Sequence, residues 1–173
     1  YCKRGQYWMC PNGDVYGFRQ RAQGAWAEYV LLPADALNYK VPDTVSPQRA
    51  AFIEPLACSV HAVQRAEIKL DDVVVLAGAG PLGLGMVATA RLQNPKLLIV
   101  LDLNDDRLAI AKQCGADLVF NPTKVDVIDE VNKLTKGEVG AYCQLSTIHD
   151  QVWVLRRDET IRYNSRDRQY EGF

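Results

Sequence analysis

The chain has 173 residues, near the size of one domain and enough to bury a core. Its 48% hydrophobic and 24% charged content is that of an ordinary globular protein and excludes a wholly disordered chain. A formal net charge of −1 gives no general pull toward nucleic acid or an anionic membrane, and no apolar run is long enough to span a bilayer. No secretory pattern opens the sequence, so the cytoplasm is the expected compartment. Tyr1 is not an initiator methionine and stands directly before a cysteine, which reads as the interior of a longer chain. The five cysteines, Cys2, Cys10, Cys58, Cys114 and Cys143, are odd in number and scattered. That distribution predicts free thiols rather than a disulfide framework, with Cys2 and Cys10 as candidate metal ligands.

Residues 1–53 are rich in turns and aromatics, and Ala27-Glu28-Tyr29-Val30-Leu31 alternates with period two, which predicts short strands of an irregular β domain. Residues 54–71 read as a linking helix. Pro55 suits a first helical position, where its missing N–H costs nothing, and Leu56, Cys58, Val60, His61 and Val63 continue the element. His61 is expected to pack against the core rather than to bind a ligand. From 72 to 148 strands and helices alternate. Val73–Ala77 and Leu98–Leu101 are compact apolar runs, as expected of parallel strands buried on both faces. Leu84–Leu92 reads as a helix, Asp105–Cys114 as a second one stopped by Gly115, Leu118–Phe120 as a short strand closed by Asn121-Pro122, and Val125–Lys136 as an amphipathic helix ending at Gly137. This alternation predicts a parallel sheet with helical crossovers. In residues 149–173, Val152–Leu155 has the makings of one strand. Arg156–Glu171 mixes arginines with acidic residues and is expected to be a poorly ordered polar tail rather than a basic binding patch.

The chemistry concentrates in Gly78-Ala79-Gly80-Pro81-Leu82-Gly83, directly after one predicted strand and before a helix. Gly78 permits the tight turn, Gly80 lets backbone approach a pyrophosphate, and Gly83 allows close helix–strand packing. Pro81 and Leu82 are counted among the cofactor-binding residues just before the helix, whose free N–H groups and positive dipole end suit phosphate. The acid expected about twenty residues later, at the end of the next strand, is Asp102. Its carboxylate can accept from both adenosine ribose hydroxyls and would repel the extra phosphate of NADP. Neither Leu103 nor Asn104 supplies a neutralising arginine, and Arg107 lies further on in the predicted helix. NAD is therefore expected, with Leu103 and Arg107 counted among the cofactor-binding residues. The alternative role for Asp102 is to cap the helix that begins at Asp105.

With these residues in view, the sequence resembles the zinc-dependent medium-chain dehydrogenase/reductase family, in its polyol (sorbitol- or threitol-dehydrogenase-like) branch. The matching stretches are Tyr1–Cys10, Gly24–Tyr29, Ile53–Cys58, Val73–Asp102 and Arg107-Leu108. The resemblance implies a Rossmann-type parallel sheet, incomplete here, preceded by part of an irregular β, GroES-like catalytic domain. It makes Cys2 and Cys10 the last two ligands of a structural zinc whose first two would lie before Tyr1, with ordinary free thiols as the alternative. It makes Glu54 a catalytic residue and ligand of the catalytic zinc, against a purely structural role at a helix start, where the dipole favours any carboxylate. It also places a fourth strand at 141–148 beside the first. The implied activity is hydride transfer from a small polyol or secondary alcohol to NAD, with zinc as Lewis acid. The partners expected are that small molecule and, for the whole protein, further copies of itself, with no nucleic acid and no membrane. A competing reading is a catalytically inactive, nucleotide-binding remnant or interaction partner. A zinc-free, NADPH-dependent relative is opposed by Cys2, Cys10 and Asp102.

Overall fold

Two apolar pentapeptides set the architecture. Val73–Ala77 (β1) and Leu97–Leu101 (β2) are buried over their central residues and pair in parallel, Val73 opposite Leu97 through Ala77 opposite Leu101. In this computed structural model the described residues are 4, 16–17, 24–34 and 36–136, together with the strand backbone at 142–146, 151–155, 162–163 and 170–171. Cys2, Cys10, Gly137 and His149 lie outside them.

The chain divides into two compact units, 1–44 and 45–173. In the first, Tyr16 Oη donates to Asn38 Oδ1 at 3.3 Å, and a turn is closed by Ala36 N donating to Pro33 O at 3.0 Å. The strand expected at Ala27–Leu31 is not formed; these residues are bends and irregular backbone. An alternating run becomes a strand only against a partner. No described residue pairs with this one, and Trp26, Tyr29 and Leu31 stand exposed.

The second unit opens with a one-turn helix that the sequence reading did not anticipate, Pro47–Ala50 (α1), with Pro at its first position and Ser46 Oγ accepting from Arg49 N. Ile53–Ala66 (α2) follows. It starts two residues before Pro55, which still falls in the first turn, where no intrahelical N–H is needed. His61 is exposed, contrary to expectation: Ser59, Ala62, Val63 and Ala66 form the buried stripe, and position 61 falls off it. Pro81–Leu92 (α3) begins three residues earlier than the apolar pattern indicated, because Pro81 is preset for a helix start behind Gly80. Asp105–Gln113 (α4), Leu118–Phe120 (β3) and Val127–Thr135 (α5) follow the predicted order. Gly115, at φ 112°, reverses the chain after α4.

β3 joins β2 in parallel, so three parallel strands connect through helices, as predicted. The two sheet faces are covered separately, in keeping with the period of two. Val74, Leu76, Leu98 and Val100 pack with α2, α3 and α4 through Val63, Met86, Val87, Ala90 and Leu108. Val75 and Ile99 point the other way and meet Val131 of α5.

The remaining edge of β1 departs from expectation. Tyr142–Ser146 (β4) forms within the stretch assigned to a fourth strand, but the place beside β1 is taken by Gln151–Leu155 (β5), antiparallel, with β4 outside it. The short link between β4 and β5 explains this, since neighbouring parallel strands need a crossover of about a dozen residues. The Val-Trp-Val-Leu run also suits an inner position better than Tyr142–Ser146. Arg162–Tyr163 (β6) and Tyr170–Glu171 (β7) pair separately. β5 forms where Val152–Leu155 suggested a strand, while β6 and β7 fall in the stretch expected to be poorly ordered.

Candidate functional site

β1 ends where its backbone leaves the ladder. Gly78 N still donates to Leu101 O at 2.8 Å, and Gly78 turns the chain at φ 101°, a conformation that a side chain disfavours. The next amide, Ala79 N, has no strand carbonyl to meet. It donates instead to Asp102 Oδ2 at 2.7 Å, so the carboxylate continues the ladder by one rung. Asp102 Oδ1 accepts from Asn104 N at 2.8 Å, which folds the β2–α4 loop around the same carboxylate. Each oxygen keeps acceptor capacity after these two bonds.

Gly80 occupies the N-cap of α3 in extended conformation, φ −71° and ψ −176°. Having no side chain, it supplies no capping acceptor. The contrast with the neighbouring helices is informative. In α4, Asn104 Oδ1 accepts from Asp106 N at 2.9 Å and Arg107 N at 3.1 Å, and in α5 Asp126 accepts from Asp129 N. The N-cap of α3 therefore brings no side-chain acceptor to the positive dipole end, which lies beside an acid that is held from both sides. Pro81 is exposed, Leu82 is half-buried and Gly83 is buried where α3 meets the sheet.

Capping of α4 belongs to Asn104, not to Asp102. Leu103 and Arg107 are exposed on the α4 side of the turn, so Gly78, Gly80, Pro81, Leu82, Gly83, Asp102, Leu103 and Arg107 gather along the ends of β1 and β2 and the helix starts that follow them. The sequence reading missed two contributors. Ala79 acts through its backbone N–H, which no residue pattern announces. Asn121 at the end of β3 is a buried amide whose Nδ2 donates to Leu103 O at 2.9 Å.

Glu54 stands apart from this cluster, exposed in the first turn of α2, where Cys58 Sγ donates to its Oε1 at 3.5 Å. Partial desolvation, followed by the hydrogen bond and charge of Glu54, raises the Cys58 thiol above its ordinary value. α2 is anchored to α3 through Ser59, whose buried Oγ lies 2.9 Å from Leu82 O and 3.1 Å from Pro55 O. Among the described residues no three His, Cys, Asp or Glu side chains converge to hold a metal. Glu54 thus has no co-ligands there, and the expected structural-zinc residues Cys2 and Cys10 lie outside the described residues. The donor set does not fit a zinc ion within the described part of the chain.

Residues 81–153 match the family described as zinc-binding dehydrogenase. The erythritol/L-threitol dehydrogenase of Mycolicibacterium smegmatis is 50% identical over 137 residues, covering 79% of this chain and 38% of the relative. An alcohol dehydrogenase from Escherichia coli complexed with NADH superposes with a TM-score of 0.66 at 32% identity, covering 78% of this chain and 39% of the other. A zinc-binding dehydrogenase from Sinorhizobium meliloti bound to NADP superposes at 0.65 with 33% identity, covering 74% and 36%. The chain therefore spans less than half the length of each of these relatives.

Proposed function

Since this chain belongs to the zinc-binding dehydrogenase family, we propose that its β1–α3–β2 unit holds the adenosine diphosphate half of NAD, as part of an oxidoreductase acting on a polyol or secondary alcohol. The observation that carries the reading is the Asp102 carboxylate, fixed 2.7 Å from Ala79 N at the mouth of a glycine turn whose helix has Gly80 as its N-cap. The diphosphate lies over Gly78–Gly83 and takes hydrogen bonds from the first turn of α3. The adenosine ribose hydroxyls donate to the remaining acceptor positions of Asp102. A phosphate on the 2′ position would meet that negative charge instead, which supports NAD over NADP. Bound NAD supplies the hydride acceptor, while this chain's residues bind and orient it.

Hydride removal from the alcohol, with a polyol as the substrate class, is proposed for the whole protein, supported by the relative from M. smegmatis. Glu54 is the residue proposed to face the catalytic zinc and Cys2 and Cys10 the structural one. No step is derived through either metal. Assembly into an oligomer and a cytoplasmic location are part of the same proposal; the thiols of Cys58 and Cys114 are free, as in a reducing compartment.

A second reading, favoured by the unfilled donor set around Glu54, is that the 173-residue chain binds the nucleotide without turning over alcohol. Two titrations test both. NAD is expected to bind the chain, and Asp102→Asn to weaken it by about tenfold, the worth of a charge-assisted hydrogen bond. A folded chain with no NAD signal, or an Asp102→Asn variant with unchanged affinity, overturns the binding reading. Zinc-dependent reduction of NAD by the chain with a polyol overturns the second.

A further inference from the structure

We infer that Asn121 is a positioning residue for the nucleotide sugar: it sets the loop that carries Asp102 from the end of the neighbouring strand. The inference deepens the reading of Asp102 as the ribose acceptor, and rests on it. Asn121 follows β3 directly and is 7% exposed. Its amide is fully used. Nδ2 donates both hydrogens to the β2–α4 loop, to Leu103 O at 2.9 Å and Asp105 Oδ1 at 3.0 Å. Oδ1 accepts from Thr123 N at 3.0 Å and from Thr123 Oγ1 at 2.7 Å. Those four bonds exhaust its two donors and two acceptor lone pairs, and they fix which way the amide faces.

The loop it grips has few other holds. Besides the bonds of the Asp102 carboxylate to Ala79 N and Asn104 N and the Asn104 cap, Asp102 N donates to Phe120 O at 3.3 Å and Lys124 Nζ bonds Asp105 Oδ2, while Leu103 and Asn104 are exposed. With Asn121 in place, both the residue after Asp102 and the first residue of α4 are tied to the end of β3. The carboxylate is then presented at one height above the glycine turn before any sugar arrives. A preorganised acceptor loses less ordering entropy on binding than a mobile one, so the grip acts on the affinity of the ribose contact specifically. Diphosphate contacts at the start of α3 come from a different loop, which meets this one through Ala79 N and Asp102 Oδ2.

That separation supplies the test. NAD and an analogue lacking the adenosine 2′-hydroxyl are titrated calorimetrically into the chain and into Asn121→Asp. This variant keeps the size of the side chain and its acceptance from Thr123, but replaces both donors by a carboxylate oxygen that repels Leu103 O and Asp105 Oδ1 and so releases the loop. The unaltered chain is expected to prefer NAD over the analogue by about tenfold. In Asn121→Asp that preference is expected to collapse toward unity, while affinity for the analogue changes little. A merely structural role would lower both affinities together and preserve their ratio, and that result overturns the inference. If the unaltered chain itself shows no preference, Asp102 is not the ribose acceptor and the reading beneath the inference falls with it. Should Asn121→Asp fail to fold, Thr123→Val removes only the hydroxyl that orients the amide. The preference is then expected to shrink about threefold, the worth of one weakened hydrogen bond, and an unchanged preference overturns the inference.

Discussion

The two edges of β1 are built differently. Toward β2 and β3 the ladder is parallel, each connection is a helix, and side chains stitch the ends. Asp102 reaches back to Ala79 at one end of β2. At the other, Asp117 Oδ2 accepts from Leu98 N at 2.7 Å and binds Arg91 Nη1 at 3.1 Å. Toward β5 and β4 the ladder is antiparallel, Val73 opposite Leu155 through Ala77 opposite Gln151. The parallel edge gathers loops at the ends of its strands, and loops there make a site. An antiparallel partner lengthens the sheet but brings no second crossover to that rim.

The largest effect is expected on the parallel side. Leu98 is fully buried between β1, α3 and α4, and Leu98→Ala is expected to cost about 2–5 kcal/mol in denaturant unfolding, with NAD binding weakened in step. Val154→Pro removes a backbone donor from the strand opposite Val74. It is expected to disrupt the β4–β5 pair while leaving NAD affinity in place. Equal loss of NAD binding in both variants would erase the distinction.

Gly85→Ala has an intermediate effect and probes how α2 links the two sides, since α2 packs on α3 and also approaches β4 and β5. An added Cβ would lie 2.6 Å from Ser59 Oγ and 3.1 Å from Ser59 Cβ, too close without moving the helices apart. A loss of about 1–3 kcal/mol in thermal unfolding is expected. A neutral Gly85→Ala would mean that α2 is not seated as described.

The smallest effect is electrostatic. Hydrogen bonds from Lys124, then from Asn121, hold the Asp105 carboxyl below its ordinary value. A depressed carboxyl adds stability above its unfolded pKa, and that stability is lost as pH falls through the folded value. Asp105 is exposed, so the contribution is small. Wild type and Asp105→Asn should therefore differ slightly in unfolding midpoint near neutrality and converge in acid, below the ordinary carboxylate range. A gap that widens in acid contradicts the assigned contacts.

Much of the half built on the parallel strands was legible in the residues. The strand at 73–77, the glycine turn, the acid at the end of the next strand and the reversal at Gly115 each follow from local rules of periodicity, glycine conformation and capping. Other features were not. Asp102 and Asn104 are both reasonable caps for a helix starting at Asp105, and only the fold decides that Asn104 takes the helix while Asp102 turns to Ala79. Asn121 looked like the close of a strand; its grip on Leu103 and Asp105 joins segments distant in sequence. His61, on the helix after Glu54, reads as packed against the core, whereas the seating of α2 on its Ser59–Ala66 stripe leaves it outside.

By itself, then, the sequence determined the parallel core and the place of the glycine turn, because glycine geometry and strand periodicity act over a few residues. Only the tertiary structure decided which segment lies against the far edge of β1 and which side chains hold the Asp102 loop. Backbone ladders accept any extended apolar run, and an amide or carboxylate bonds whatever the folded chain brings within about 3 Å, so neither choice is written locally.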